Sequence, residues 1–327
     1  MTKSFLYGTV ASFALAGAAF AEAPSVAADI TPIHSLVAMV MEGVGTPSLI
    51  VRPGASPHGY SLRPSEAGAL QDADIVFWVS AGLTPWLEDS IEALGHNAKA
   101  IELLEADGAT ELSFREGATF EGHDHGDEDH DEHAEEEHDE HAEEEHDDHE
   151  DDDHDHEGHD PHAWLDPENA RIWLDVIAAE LSAVDPENAE TYAANAAARK
   201  AELATVITEI DAELEGFRGT NFVVFHDAYQ YFENRFGLHA AGSIKLGDAS
   251  DASPARIAEI RDTVVELGIT CAYAEPQFNP GLLQSVFAGT TAVIGVLDPL
   301  GTELELGPDF YPELLRTISR DLNACAK

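Results

Sequence analysis

Basic residues are scarce in this chain. Its 327 residues include 16 Lys and Arg against 64 Asp and Glu, which gives a formal net charge of −48 at pH 7. A protein with this charge repels nucleic acid and anionic lipid and attracts cations. The composition therefore argues against a nucleic-acid partner and favours a cation as the ligand.

Long hydrophobic runs are absent beyond the first residues of the chain. Lys3 precedes a nearly uncharged run from Phe5 to Phe20, and Ala19-Phe20-Ala21 has the A-x-A form of a secretory cleavage site. No other stretch approaches the ~18 apolar residues of a membrane span. We therefore expect residues 1–21 to be a signal peptide cleaved after Ala21, and the mature protein to be exported and soluble.

Cysteine is nearly absent, with one residue at Cys271 and one at Cys325. In an exported protein, two cysteines most simply form one disulfide, which here would fix the C-terminus to the folded part of the chain around Cys271. A cysteine metal site is the alternative, and both the spacing and the oxidising compartment disfavour it.

One segment, residues 121–160, consists almost entirely of histidine and acidic residues. It holds 11 of the 17 histidines and 24 of the 64 acidic residues, and the octad DEHAEEEH occurs twice, at 131–138 and 139–146. Such a composition buries too little apolar surface to fold, but imidazole and carboxylate are both zinc ligands. We expect a disordered metal-binding loop with weak accessory sites at His123, His125, His130, His133, His138, His141, His146, His149, His154, His156 and His159.

Several roles for this loop stay open at the level of sequence. It could concentrate zinc near another site, shield that site when zinc is plentiful, or provide a docking surface for a zinc-donating partner. A solvated acidic spacer is the simplest alternative.

The rest of the chain has the pattern of an α/β fold. Six short apolar runs predict buried parallel strands, with helical patterns between them. The predicted strands are Val26–Ile30, Leu49–Val51, Ile75–Ser80, Phe222–Phe225, Cys271–Ala274 and Thr291–Leu297, and a short helix is predicted at Pro64–Gln71.

The longest helical pattern covers residues 186–217. It begins at Asp185-Pro186-Glu187, and its apolar residues recur at helical spacing from Leu203 to Phe217. A helix of this length exceeds what one small lobe needs, so we expect it to join two lobes, residues 22–185 and 218–327. The N-terminal lobe would include the loop at 121–160.

Four short segments end in a residue of metal-ligand type. His58 lies in a Pro-His-Gly turn, His162 begins an apolar segment after the loop, and His226 and Asp298 each follow a predicted strand. Taken singly, each has a plainer explanation, such as a surface histidine, the last histidine of the loop, a buried structural histidine or a turn-capping aspartate. Together they offer three imidazoles and one carboxylate, a donor set suited to tetrahedral Zn²⁺.

The order of these and neighbouring motifs resembles a known family. The matching segments are ITPIHSLVAMV, GASPHGYSLRPSE, DADIVFWVSAGLTPWLE, DPHAWLDPENA, FHDAYQYFENRFGL, AEPQF and VLDPLG. They cover nearly all of the chain and are similar to those of the ZnuA-type zinc-binding periplasmic components of ABC importers. The acidic, histidine-rich insertion is itself typical of the zinc members.

This resemblance implies two Rossmann-like lobes with parallel sheets, joined by one long rigid helix, and Zn(II) bound in the cleft. The implied ligands are His58, His162, His226 and Asp298. Manganese and iron members usually have Glu at the third position, so His226 favours zinc. Pro57 stands where some zinc members have an acidic residue, which leaves Asp298 or a water as the fourth donor.

The resemblance further implies delivery of zinc to a membrane permease by a monomer that is not an enzyme, and a Cys271–Cys325 disulfide. From their positions near predicted strand ends, His34 and Glu275 could border the metal centre without binding the ion, and a structural or packing role stays open for each. A zinc hydrolase is the rival class, because an open fourth position would activate water. Against it, the chain has no H-E-x-x-H motif and no obvious general base beside the ligands. A zinc store built on the loop is the third possibility.

Overall fold

The structure is a computed structural model that describes residues 23–115, 117–120, 158–245, 253–278 and 281–325. The predicted signal peptide and the loop histidines before His159 lie outside the described residues. None of the helices in these ranges combines the length and apolarity needed to cross a membrane.

The first sheet has four parallel strands in the order β2-β1-β3-β4. The strands are β1 (Val26–Ala28), β2 (Ser48–Leu49), β3 (Ile75–Trp78) and β4 (Lys99–Glu102). The helices that alternate with them are α1 (Thr31–Val40), α2 (Pro64–Gln71) and α3 (Pro85–Leu94). We call this unit the N-lobe.

Two long helices, α4 (Pro167–Val184) and α5 (Ala189–Glu213), follow and pack against each other. Helix α5 begins later than the predicted residue 186, because Asn188 donates its backbone N–H to the Asp185 carbonyl and closes a turn there. Its end is also earlier, since residues Leu214–Gly216 form a 3-10 turn.

The second sheet repeats the architecture, with parallel strands in the order β6-β5-β7-β8. The strands are β5 (Phe222–His226), β6 (Ala240–Lys245), β7 (Cys271–Ala274) and β8 (Val293–Val296). The helices are α6 (Gln230–Phe236), α7 (Pro254–Glu266), α8 (Gly281–Val286) and α9 (Phe310–Cys325). We call this unit the C-lobe, and α5 packs against both α1 and α9.

The six predicted strands are present, but the expectation that all are buried is wrong for the last. Strand β8 is a sheet edge, with Val293 57% and Val296 52% exposed. Strands β4 and β6 had no apolar run to predict them, since they read Lys-Ala-Ile-Glu and Ala-Ala-Gly-Ser-Ile-Lys. Strand β4 is an edge strand with exposed or half-buried residues, whereas β6 is fully buried although it lies at the end of its sheet, and its small and polar residues form no continuous apolar run.

The two lobes share one continuous hydrophobic core. The cluster includes Val26 and Phe77 of the first sheet, Phe222 and Tyr273 of the second, and Tyr192 of α5. The predicted disulfide is confirmed, and it joins the start of β7 to the end of α9 across a sequence separation of 54 residues.

Candidate metal centre

Three predicted histidine ligands meet where the lobes face each other. His58 lies in the loop between β2 and α2, His162 precedes a 3-10 turn at Ala163–Leu165, and His226 is the last residue of β5. The ring of His162 lies 5.7 Å from that of His58 and 5.2 Å from that of His226, measured between centroids. The carboxyl end of a parallel strand therefore carries one of the predicted ligands, at the position where ligands bind in open α/β sheets.

Two of these imidazoles are held by carboxylates. Nδ1 of His162 lies 2.7 Å from Oδ1 of Asp160, and Nδ1 of His226 lies 2.5 Å from Oε1 of Glu275. A carboxylate oxygen accepts, so we assign the hydrogen of each ring to Nδ1. The Nε2 atom of each ring then carries the lone pair that can bind a metal.

The two Nε2 atoms converge. They lie 3.3 Å apart, and two nitrogens bound to one tetrahedral ion at ~2.0–2.1 Å would be separated by about 3.3–3.4 Å. Two lone pairs at this distance repel each other unless a cation lies between them. The pair therefore has the spacing of two ligands of one zinc ion.

The charge of the pair favours a divalent cation. All four side chains, His162, Asp160, His226 and Glu275, are buried. With neutral imidazoles the two carboxylates place two negative charges in a buried site, which is costly without compensation. A bound divalent cation would offset both charges.

His58 lies beside this pair on a loop of the N-lobe. Its loop is fixed to the N-lobe by Trp86 of α3, whose indole N–H donates to the Pro57 carbonyl at 2.7 Å. Within the described ranges, no group of three or more His, Cys, Asp or Glu side chains is arranged so that it could hold a metal ion as it stands. The centre is thus a preformed pair with a third imidazole beside it.

Asp298 is committed to its own turn. Its Oδ1 accepts the backbone N–H groups of Leu300 and Gly301 at 3.0 Å each, and its Oδ2 accepts that of Thr302 at 2.6 Å. This is the turn-capping role that the sequence left open. A carboxylate has about four lone-pair positions, so one remains for a metal.

The bordering residues differ in their placement. Glu275 contacts His226, and its Oε2 accepts from the Gln277 amide at 3.0 Å. His34 instead places Nε2 3.1 Å from the Pro47 carbonyl oxygen, and burial lowers its pKa. Among the described residues, the hydrogen-bond contact of His34 is therefore with Pro47 and not with His58, His162 or His226. His159, the one described loop histidine, places Nε2 3.0 Å from Glu111 Oε2.

Asp160 contacts a predicted ligand, a role that the sequence did not indicate. The predicted acidic loop ends with this residue, although the spacing Asp-Pro-His places its carboxylate two residues before the ring that it contacts. Its Oδ1 also accepts the backbone N–H of His162 at 3.0 Å. An acidic residue next to a proline at the border of a folded segment was the available signal.

The His162 segment is held mainly by the C-lobe, although His162 lies within residues 22–185, the range predicted for the N-terminal lobe. Tyr231 of α6 donates its hydroxyl to the Asp160 carbonyl at 2.8 Å. Arg235, also on α6, donates to both carboxylate oxygens of Asp166 at 2.7 Å each. His162 therefore lies on a segment fastened at both ends to the lobe that carries His226.

Two α/β lobes with imidazoles converging between them define a two-lobed metal-binding protein. The family model for the periplasmic component A of zinc-uptake complexes, ZnuA, matches residues 26–325. The high-affinity zinc uptake system protein ZnuA of Brucella abortus (strain 2308) is 48% identical over 328 residues, covering 99% of this chain and 97% of that protein. The protein of the same name from Paracoccus denitrificans is 46% identical, covering 93% and 92%. The chain belongs to the ZnuA family, whose members are binding components of uptake systems and not enzymes.

Solved structures support the same fold. A zinc-bound ZnuA deletion mutant superposes with a TM-score of 0.69 at 24% identity, covering 92% of this chain and 97% of that one. A mutant of the laminin-binding adhesin of Streptococcus agalactiae superposes with a TM-score of 0.70 at 24% identity, covering 93% of this chain and 100% of that one. At these identities the likeness establishes the two-lobed fold alone.

Proposed function

We propose that this chain captures Zn(II) in the periplasm and delivers it to the membrane permease of an ABC importer. His58, His162 and His226 bind the ion through Nε2, and Asp298 or a water is the fourth donor. The observation that carries the proposal is the 3.3 Å separation of the His162 and His226 Nε2 atoms, with each ring oriented by a buried carboxylate. Relatives named for zinc uptake agree with it.

The donor set also supports zinc over harder metals. A neighbour of the same fold is a Mn-bound periplasmic metal-binding protein from candidatus liberibacter asiaticus, with 19% identity and a TM-score of 0.68. The fold therefore does not decide the metal. Three imidazoles suit Zn²⁺, whereas Mn²⁺ prefers carboxylate and water oxygens.

The histidine-rich loop at 121–160 is proposed as an accessory element. Its imidazoles hold zinc weakly and raise the local concentration near the centre, or they dock a periplasmic zinc chaperone. The segment after Asp160 leads directly to His162, so zinc released at that end of the loop is near the tight site. The mature receptor begins at Glu22 and acts as a monomer.

Calorimetric zinc titration tests this function. Three proteins are compared: the mature chain, the chain without residues 122–158, and the shortened chain carrying His226→Ala. We expect one tight site that survives the deletion and is lost in the variant, with the deletion removing only weak binding.

A zinc store would give the opposite pattern. If the deletion removes all binding and His226→Ala changes nothing further, the loop is the functional element and the proposed receptor centre is wrong. Hydrolysis would require an exchangeable water on the bound metal. A closed coordination sphere in the zinc-loaded protein would exclude that alternative.

A further inference from the structure

The chain crosses from the N-lobe to the C-lobe a second time, separately from α5. Thr110 is fixed to α4, since its backbone N–H donates to Asn169 Oδ1 at 2.7 Å and its carbonyl accepts from Asn169 Nδ2 at 3.0 Å. Two residues later, the Leu112 N–H donates to the Tyr231 hydroxyl of α6 at 2.9 Å. We call the described residues 112–115 and 117–120 the strap, because they lie against the C-lobe.

Arg115 fastens the strap to two buried carboxylates of the C-lobe. Its Nε lies 3.0 Å from both oxygens of Asp227, and its Nη1 and Nη2 each donate to Glu233 at 2.9 Å. The side chains of Arg115, Asp227 and Glu233 are 14%, 6% and 4% exposed. A bidentate, buried guanidinium–carboxylate pair of this kind holds geometry as well as charge.

The strap then joins the second sheet. The Phe120 N–H donates to the Ala241 carbonyl at 3.0 Å, and the Ser243 N–H donates to the Ala118 carbonyl at 3.2 Å. Ala118 is 2% exposed and belongs to the C-lobe core. A Cβ at Gly242 would overlap the Ala118 carbonyl oxygen, so glycine is what permits this close approach.

These contacts reach the metal centre through one peptide bond. Asp227 follows His226, and the chain there is irregular between β5 and α6, with the Ala228 N–H donating to the His226 carbonyl at 2.9 Å. Without Arg115, Asp227 and Glu233 would be buried together without the guanidinium that both of them contact, which disfavours the present position of Asp227. A shift of Asp227 moves the backbone of His226.

We propose that Arg115 is a positioning residue for the zinc centre, acting through Asp227 on His226. This inference rests on the proposed function and deepens it. It makes zinc binding by His226, the ligand on β5 of the C-lobe, depend on Arg115 of the strap, which follows the N-lobe in the chain. Loss of Arg115 displaces the His226 ring from the geometry shared with His162. Mutation of a residue that orients a metal ligand typically weakens metal binding, and we expect a roughly 10- to 100-fold loss of zinc affinity when Arg115 is replaced.

The test compares Arg115→Gln, Arg115→Lys and Gly242→Ala in the full mature chain. Zinc affinity is measured by competition with a chelator, and Co(II) absorption reports the coordination geometry. Arg316→Gln is the matched control, because Arg316 pairs with Glu209 at the surface of α5. Melting temperature and circular dichroism establish that each variant is folded.

We expect Arg115→Gln to weaken zinc binding and change the Co(II) spectrum, with Arg115→Lys recovering part of the affinity because it restores charge without the planar fork. Gly242→Ala displaces the strap and gives a smaller loss in the same direction. Arg316→Gln leaves both readouts unchanged. If Arg115→Gln does not fold, Arg115→Lys and Gly242→Ala decide the outcome.

The inference is overturned if the folded Arg115 variants bind zinc as tightly as the wild type with the same Co(II) spectrum, even if they melt earlier. In that case Arg115 serves stability only. Failure of the proposed function is distinct, because the wild-type protein itself would then lack a tight site sensitive to His226→Ala.

Discussion

The indole N–H of Trp164 donates to the Pro299 carbonyl at 2.9 Å, which joins the segment of His162 to the loop of Asp298. The Tyr311 hydroxyl donates to the Trp164 carbonyl at 2.6 Å from the same side. His162 is therefore integrated into the C-lobe although it precedes α5 in the chain. The loop that carries His58 is instead fixed to the N-lobe, through the hydrogen bond from Trp86 to the Pro57 carbonyl.

Tyr311→Phe tests this integration. The variant removes the hydroxyl and leaves the Trp164 carbonyl buried without that partner, which should lower the free energy of unfolding by about 1–3 kcal/mol. Urea denaturation measures it. Thr208→Ala, on the exposed face of α5, is the control and should change the value by less than ~0.5 kcal/mol. Equal midpoints for wild type and Tyr311→Phe would contradict the role assigned to this bond.

Glu275→Gln tests the orientation of His226. The amide oxygen can still accept from Nδ1, but the negative charge that raises the basicity of the ring is lost, so zinc affinity should fall about 10- to 100-fold. Chelator competition measures the affinity. Glu266→Gln, exposed at the end of α7, should have no effect. An unchanged affinity in Glu275→Gln would show that the 2.5 Å contact does not support the metal ligand.

Asp298→Ala tests the turn that follows β8. Removing the carboxylate leaves three backbone N–H groups, those of Leu300, Gly301 and Thr302, without their acceptor. We expect the metal-free protein to lose about 1–3 kcal/mol of stability. Thermal unfolding in the presence of a chelator measures the loss. If only the zinc-loaded protein is destabilised, Asp298 acts as a ligand and contributes little to the turn.

Much of the fold could be predicted because the signals are local. Strand β7 was predicted with its exact bounds, as was helix α2, since an apolar run or a Pro start is read within a few residues. The placement of His226 at a strand end follows in the same way. Edge strand β4 was not predicted, because its Lys and Glu residues interrupt any apolar pattern.

The contacts between distant segments could not be predicted. Tyr231 lies 71 residues from Asp160, and Arg115 lies 112 residues from Asp227. Nothing in the spacing of a single sequence pairs such residues. The same limit applies to Glu275, whose proximity to the metal centre could be suspected from its strand end but whose partner could not be named.

Asp29 predicts a pH dependence of stability. This carboxyl group is fully buried at the end of β1, and burial raises its pKa from 3.8 to about 7, although the Val79 and Ile30 N–H groups donate to it. The folded state therefore holds a proton that the unfolded chain loses at lower pH. The contribution of Asp29 to stability is largest below about pH 4 and declines as the pH rises to about 7.

Asp29→Asn isolates this contribution. The variant does not titrate, so the unfolding free energy of the wild type minus that of the variant should fall between about pH 4 and 7 and then stay level. Urea denaturation of metal-free protein across this range measures the difference. A difference that is constant with pH would mean that Asp29 keeps an ordinary pKa in the folded protein.

The most direct test of the account is a crystal structure of the zinc-loaded protein without residues 122–158, with anomalous scattering recorded at the zinc edge. The account predicts one strong peak within ~2.0–2.2 Å of the Nε2 atoms of His58, His162 and His226. A peak elsewhere, or an ion that contacts fewer than two of these three rings, would contradict the assignment of the metal centre.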